Sequence, residues 1–202
     1  MLKVTIPTGE DRVLLHTCCA PCSSAIVECL LANGLRPTIY YCNPNIYPLQ
    51  EYLTRRNECA RYAEKLGLDM VDAEYDHETW RKCAEGLEGE PERGGRCLKC
   101  FSLRLERTAR YAAANGFRAI TTTLASSRWK SLDQINEAGR AAVEKVNAEI
   151  PGADLVWWDQ NWRKGGLQER RGEIIKEMNF YNQQYCGCEF SQRTPEEETK
   201  QV

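Results

Sequence analysis

Arg12-Val-Leu-Leu-His-Thr-Cys-Cys-Ala-Pro-Cys22 reads as a strand running into a cysteine-bearing loop. Val13, Leu14 and Leu15 are an unbroken apolar run, the pattern of a strand covered on both faces. From Ser23 to Leu31 the apolar spacing turns helical, and Asn33-Gly34 supplies the stop. Downstream, Pro37-Thr-Ile-Tyr-Tyr-Cys42 is β-branched and aromatic, hence a second strand, broken by the turn-forming Asn43-Pro-Asn-Ile-Tyr-Pro48. Glu51 to Leu66 is a charged amphipathic helix ended by Gly67, Leu68 to Asp72 a third strand, and Asp76 to Leu87 a further helix.

Glu88-Gly-Glu-Pro-Glu-Arg-Gly-Gly95 is too rich in glycine and charge for regular structure and reads as a loop. Helix follows over Leu98 to Asn115, strand over Phe117 to Leu124 and helix over Leu132 to Ile150, with Leu155 to Trp158 as a last strand. This alternation predicts one α/β domain over residues 1–192, with a mainly parallel sheet and helices on both faces. Ligands then gather beyond the carboxyl ends of the strands. Residues 193–202, acidic and without apolar anchors, read as a frayed tail.

The 202 residues, 42% hydrophobic and 28% charged, can bury a core without covalent staples, so stability does not explain eleven cysteines. The amino end lacks a signal-like apolar stretch, and nowhere do eighteen apolar residues run together. A cytoplasmic protein with no membrane partner is expected, and in a reducing compartment its cysteines point to metal or redox chemistry. A formal charge of −2 excludes a globally basic nucleic-acid binder, leaving local patches to be sought.

Seven cysteines fall in tight motifs: Cys18-Cys19-Ala-Pro-Cys22, Cys97-Leu-Lys-Cys100 and Cys186-Gly-Cys188. Thiolates one to three residues apart aim at one metal or cluster without distorting the chain. Gly187 lets the backbone pass close to a bulky centre, Pro21 stiffens the first turn, and a helix amino end there stabilises thiolates. Cys29, Cys42, Cys59 and Cys83 stand alone and read as packing residues. Seven exceed the four ligands of one structural zinc, and fit a cubane cluster plus a second metal, or a cluster plus a reactive cysteine pair. Three classes stay open on these residues: an iron–sulfur reductase acting on tRNA, a thiol–disulfide oxidoreductase using Cys19 and Cys22, and a zinc-stabilised RNA-binding module. ATP-dependent tRNA thiolation is disfavoured, because cysteines occupy the turn where a phosphate loop belongs.

Five motifs in order resemble the QueH-type, cobalamin-independent epoxyqueuosine reductases over about residues 12 to 192. They are Leu15-His-Thr-Cys-Cys-Ala-Pro-Cys22, Asn43 to Pro48 with Glu51-Tyr52, Gly94-Gly-Arg-Cys-Leu-Lys-Cys-Phe101 with Arg104-Leu105, Thr121-Thr-Thr-Leu124 with Lys130 and Gln134-Ile-Asn136, and Tyr185-Cys-Gly-Cys-Glu-Phe-Ser191. The resemblance implies a HUP-like, Rossmann-type fold, a [4Fe-4S] cluster and an adjacent mononuclear metal, iron. By matching position it makes Cys18, Cys19, Cys97, Cys100, Cys186 and Cys188 ligands, with Cys22 where some relatives carry aspartate. It also implies the reaction: two electrons and two protons convert the epoxide of epoxyqueuosine, at the wobble position of tRNAs with GUN anticodons, to the alkene of queuosine and water. An external donor such as ferredoxin or flavodoxin supplies the electrons, and the metal-linked Cys18 and Cys22 belong to the catalytic centre.

A base in an anticodon loop can be splayed out, stacked on aromatics and inserted into a pocket. Arg128-Trp129-Lys130, Trp162-Arg163-Lys164-Gly165-Gly166 and Arg170-Arg171 mix stacking surface with phosphate-seeking charge. Asn43, Asn45 and Tyr47 are candidates to hydrogen-bond the base, and Asp133 and Glu137 weak candidates for the proton donor. Arg104, Arg107 and Arg110 read as a solvated helix face, and His16 as a buried, satisfied strand residue. The modest net charge predicts few phosphate contacts and a shallow salt dependence.

Overall fold

β1 (Arg12–Thr17) has neighbours on both sides, as its unbroken apolar run requires. The elements that follow are α1 (Ala20–Ala32), β2 (Arg36–Tyr41), α2 (Leu49–Leu66), β3 (Met70–Asp72), α3 (His77–Ala84), α4 (Gly95–Ala114), β4 (Ala119–Thr122), α5 (Leu132–Glu149), β5 (Val156–Trp157) and α6 (Leu167–Met178). They are those of a computed structural model that describes residues 2–191; the acidic tail expected at 193–202 lies outside the described residues. The sheet runs β3-β2-β1-β4-β5 and every pairing is parallel, a Rossmann-like α/β arrangement.

Alternate side chains face opposite sides of the sheet. Val13, Leu15, Ile39 and Tyr41 meet Ile26 and Leu30 of α1, Tyr62 of α2 and Ile174 of α6. Leu14, Tyr40 and Ile120 meet Phe101 and Leu105 of α4 and Ile135 and Ala138 of α5. Covering both faces buries side chains worth about 1.5–3 kcal/mol each.

Several boundaries differ from those the sequence predicts, with local causes. The strand expected over Phe117 to Leu124 ends at Thr122, whose hydroxyl accepts the Leu124 amide at 3.2 Å and turns the chain into a 3-10 turn, Thr123–Ser126. α1 starts at Ala20 rather than Ser23, because Pro21 fits a first helical turn where no amide partner is needed. Residues 167–178, of which only the basic pair Arg170-Arg171 stands out in the sequence, form α6, in which Arg170 pairs with Glu28, Glu173 and Glu177. Arg170 is therefore committed to carboxylates rather than to phosphate. Trp162, expected as a stacking surface, is fully buried against Trp158 and donates to Thr121 Oγ1.

From β1 the chain steps outward through β2 to β3, then returns to the opposite side of β1 with β4. The carboxyl ends of β1 and β4 thus form the switch point where open α/β sheets bind ligands.

Candidate functional site

Cys18 and Cys19 leave the end of β1 at that switch point, and Cys22 lies in the first turn of α1. The three Sγ atoms lie within 4.8 Å of one another, and those of Cys18 and Cys19 are 3.8 Å apart. Thiolates bound at about 2.3 Å to one tetrahedral ion stand about 3.8 Å apart, so the group fits a single metal. Thr123 ties the two strand ends together: its hydroxyl accepts the Cys18 amide at 3.1 Å and contacts Cys18 Sγ at 3.4 Å. Hydrogen bonds from the Cys19 and Cys22 thiols, with Thr123 and the charge of Arg104, hold Cys18 well below the usual thiol range. Cys22, bonded to that thiolate, is pushed up to about 12.

The other four motif thiols come from two elements. Cys97 and Cys100 lie in the first turns of α4, and Cys186 and Cys188 flank Gly187 in the strap after α6. Cys100 and Cys188 pack together with Trp80. Burial pushes Cys186 up, but the Lys130 ammonium, 3.0 Å from its Sγ, outweighs this and leaves it below the ordinary value. Burial without such a partner raises Cys188 to about 11.

The strap is pinned by Arg55, only 3% exposed. Its guanidinium donates to the carbonyls of Tyr185 and Cys186, both at 3.1 Å, and to Glu51 at 2.7 Å. Gly187 has φ +101°, and a Cβ there would lie 2.9 Å from both Arg55 Nη1 and Ile46 Cγ1. This is the close approach that the glycine permits.

A cavity of about 600 Å³ opens beside the thiols, within the range of small-molecule sites. Cys18, Cys22, Cys186, Asn43, Asn45, Arg128 and Lys130 line it, so three of the separated motifs and the loop after β2 meet there. Tyr47 does not: it is exposed and stacks on His77, while its backbone amide holds Gly187 O. Arg163 and Asp133 line a neighbouring cleft, Lys164 is exposed outside both, and Glu137 is exposed on α5.

Arg104, expected on a solvated face, is 1% exposed. It donates to Asn43 Oδ1 and Cys42 O and approaches Cys100 Sγ at 3.8 Å. Helical spacing alone cannot show that α4 turns this position under the cavity while Arg110 pairs outward with Glu106 and Glu149. His16 is buried and satisfied as expected, between Thr122 Oγ1 and Cys42 O; burial, then the charge of Arg104, pushes its pKa to about 3. Cys29, Cys42 and Cys59 are buried packing residues, whereas Cys83 is half-buried. Sequence gave no sign of Gln183, which donates to Cys19 Sγ at 3.1 Å, or of Glu92, the one carboxylate lining the cavity among the described residues.

Fold and site together define a Rossmann-like α/β protein whose switch-point cavity is walled by a cysteine cluster able to hold metal. Residues 13–194 match the family described as "Epoxyqueuosine reductase QueH", and the chain belongs to that family. It is 50% identical to the epoxyqueuosine reductase QueH of Histophilus somni, over 95% of this chain and 76% of that protein. The Haemophilus influenzae protein of the same name is 48% identical over the same shares, and the Thermotoga maritima one 34% identical over 89% of each chain.

Proposed function

We propose that the protein reduces epoxyqueuosine to queuosine in tRNA, as a cytoplasmic oxidoreductase of queuosine biosynthesis. The observation that carries this is the meeting of cysteine motifs, buried cations and a nucleobase-sized cavity at one switch point. No described helix is long and apolar enough to cross a membrane.

Cys18, Cys19 and Cys22 have the spacing for a lone ion, proposed to be iron, and Cys97, Cys100, Cys186 and Cys188 would be the four thiolates to hold a [4Fe-4S] cluster. Arg104 and Lys130, charged and close to both groups, offset the negative charge such thiolates bring. When bound, the cluster would supply single electrons from a donor such as ferredoxin or flavodoxin, and the lone metal would supply Lewis acidity for the epoxide.

The chain's own residues do the rest. Asn43 and Asn45, both buried in the cavity wall, address the base, and Asn43 is held in orientation by Arg104 and by its own bond to Thr17 O. Arg128 faces the anticodon-loop backbone from the rim, Lys130 keeps its ammonium against Cys186, and Trp129, 63% exposed between them, offers a stacking face. Glu92 is the cavity carboxylate placed to supply a proton as the epoxide oxygen departs as water.

Protein purified without oxygen is expected to be brown, with iron in excess over acid-labile sulfide, and when chemically reduced to convert epoxyqueuosine in tRNA. A colourless protein holding zinc, or one that forms only a Cys19–Cys22 disulfide, overturns the proposal.

A further inference from the structure

A second cleft, of about 420 Å³, adjoins the cysteine cavity and shares Arg128 and Lys130 with it. Its remaining walls are Arg93, Arg163 and the amino end of α5, from the capping Ser131 to Gln134. Four basic residues therefore line a space whose lining holds one carboxylate, Asp133; three of them bring guanidiniums, while the Lys130 ammonium is turned to Cys186 Sγ in the adjoining cavity.

Several arginines elsewhere find acids: Arg56 pairs with Asp72, Arg110 with Glu106 and Glu149, Arg140 with Asp159 and Arg170 with three glutamates, though Arg12, Arg36, Arg107 and Arg171 find none among the described residues. Among the described residues none of Arg93, Arg128, Lys130 and Arg163 pairs with a carboxylate, although the Lys130 ammonium is turned to Cys186 Sγ, 3.0 Å away. Backbone carbonyls hold two of them instead. Arg93 donates to Trp129 O at 3.0 Å and Arg128 O at 2.9 Å, and Arg163 donates to Lys130 O at 2.8 Å. Carbonyls fix the positions of these guanidiniums without neutralising them. Arg163 Nε is also buried with no partner, and burial together with the like charge of Arg93 lowers the Arg163 pKa. Fixed, mutually repelling donors beside a helix amino end make a site for an oxyanion.

We propose that this cleft binds a backbone phosphodiester of the nucleotide flanking the one whose base occupies the cysteine cavity. The inference rests on the proposed tRNA substrate and adds a fixed register to it. The shared wall from Arg128 to Lys130 is what a strand must cross when its base turns into the cavity, so a phosphate held there sets how far the base reaches. Asp133 opposes the anion.

The test uses metal-loaded protein and an anticodon stem-loop RNA carrying epoxyqueuosine, with affinity measured across a salt series. The free epoxyqueuosine nucleoside, which lacks phosphate, and inorganic phosphate serve as separate probes. Arg163→Gln is expected to weaken RNA binding about 3- to 10-fold at moderate salt and to reduce the log–log salt slope by about 0.7 to 1. It is expected to leave nucleoside binding unchanged, and Arg163→Lys to keep most of the affinity. Asp133→Asn is expected to tighten RNA binding, which keeps the test decisive if Arg163→Gln does not fold. Unchanged affinity and slope in Arg163→Gln overturn the inference. So does a cleft that binds inorganic phosphate while RNA affinity ignores both substitutions. Wild-type protein that binds neither RNA nor nucleoside instead refutes the proposed substrate, a distinguishable failure.

Discussion

Arg55→Met should free the Cys186-Gly187-Cys188 strap while leaving the sheet intact. The substitution removes three charge-assisted hydrogen bonds, to Glu51 and to the carbonyls of Tyr185 and Cys186. It also leaves Glu51, 13% exposed at its side chain, without its guanidinium partner. Such bonds are worth about 1.5–3 kcal/mol each, and breaking a buried ion pair costs about 3–5 kcal/mol. The Tyr181 hydroxyl, 2.8 Å from the other Glu51 oxygen, and the packing of the methionine stem keep the loss near that range rather than at the sum of the three bonds. A loss of about 3–5 kcal/mol raises strap opening roughly a hundred- to a few-thousand-fold. The amides of Tyr47, bonded to Gly187 O, and of Ser191, bonded to Cys188 O, report it by hydrogen exchange. Both should exchange faster, amides of β1 should not, and iron bound per chain should fall. Arg55→Lys should behave similarly, because an ammonium can keep Glu51 but lacks the planar fork that spans two carbonyls. Unchanged protection at Tyr47 and Ser191 with full iron content would refute the reasoning.

Glu92→Gln should lower turnover with little effect on RNA binding, whereas Asp133→Asn, in the neighbouring cleft, should retain turnover at saturating RNA; single-turnover nucleoside analysis separates them. Gly139→Ala should cost about 1–3 kcal/mol in a chemical denaturation experiment, since the new Cβ would lie 2.2 Å from the Trp157 ring, which a bond to Asn136 holds in place. Asp76 caps α3 by accepting the Thr79 amide at 3.0 Å, and the Thr79 hydroxyl first, then this amide, hold its carboxyl below the usual range. Its contribution, about 1 kcal/mol or less at so exposed a site, is present above the unfolded pKa and lost as pH falls through the lower folded value. Asp76→Ala should therefore reduce stability at neutral pH and match the wild type in strong acid.

The sheet was legible because its signals are local. Val13 to Leu15 and Pro37 to Cys42 carry strand periodicity within a few residues, and the turns after them carry asparagine, proline and cysteine. The Cys-x-x-Cys and Cys-x-Cys spacings likewise marked the thiols, and the resemblance ordered them into one site. What stayed hidden depends on tertiary direction. Arg104 and Arg110 share a helix and a charge, yet one lies under the cavity and the other pairs outward, a difference set by how α4 packs on the sheet. Trp162 follows a short strand among basic residues, and only the fold turns its ring inward against Trp158. α6 escaped because Gly172 and a run of charges dilute the apolar positions Leu167 and Ile174, whose partners lie far back in the chain.

Nucleoside analysis of epoxyqueuosine-containing tRNA, after incubation with the metal-loaded and chemically reduced protein in the absence of oxygen, tests the central claim most directly. The account predicts loss of epoxyqueuosine matched by queuosine, abolished when Cys18 or Cys188 is replaced by alanine. Protein with full iron and sulfide that leaves epoxyqueuosine unchanged would contradict it.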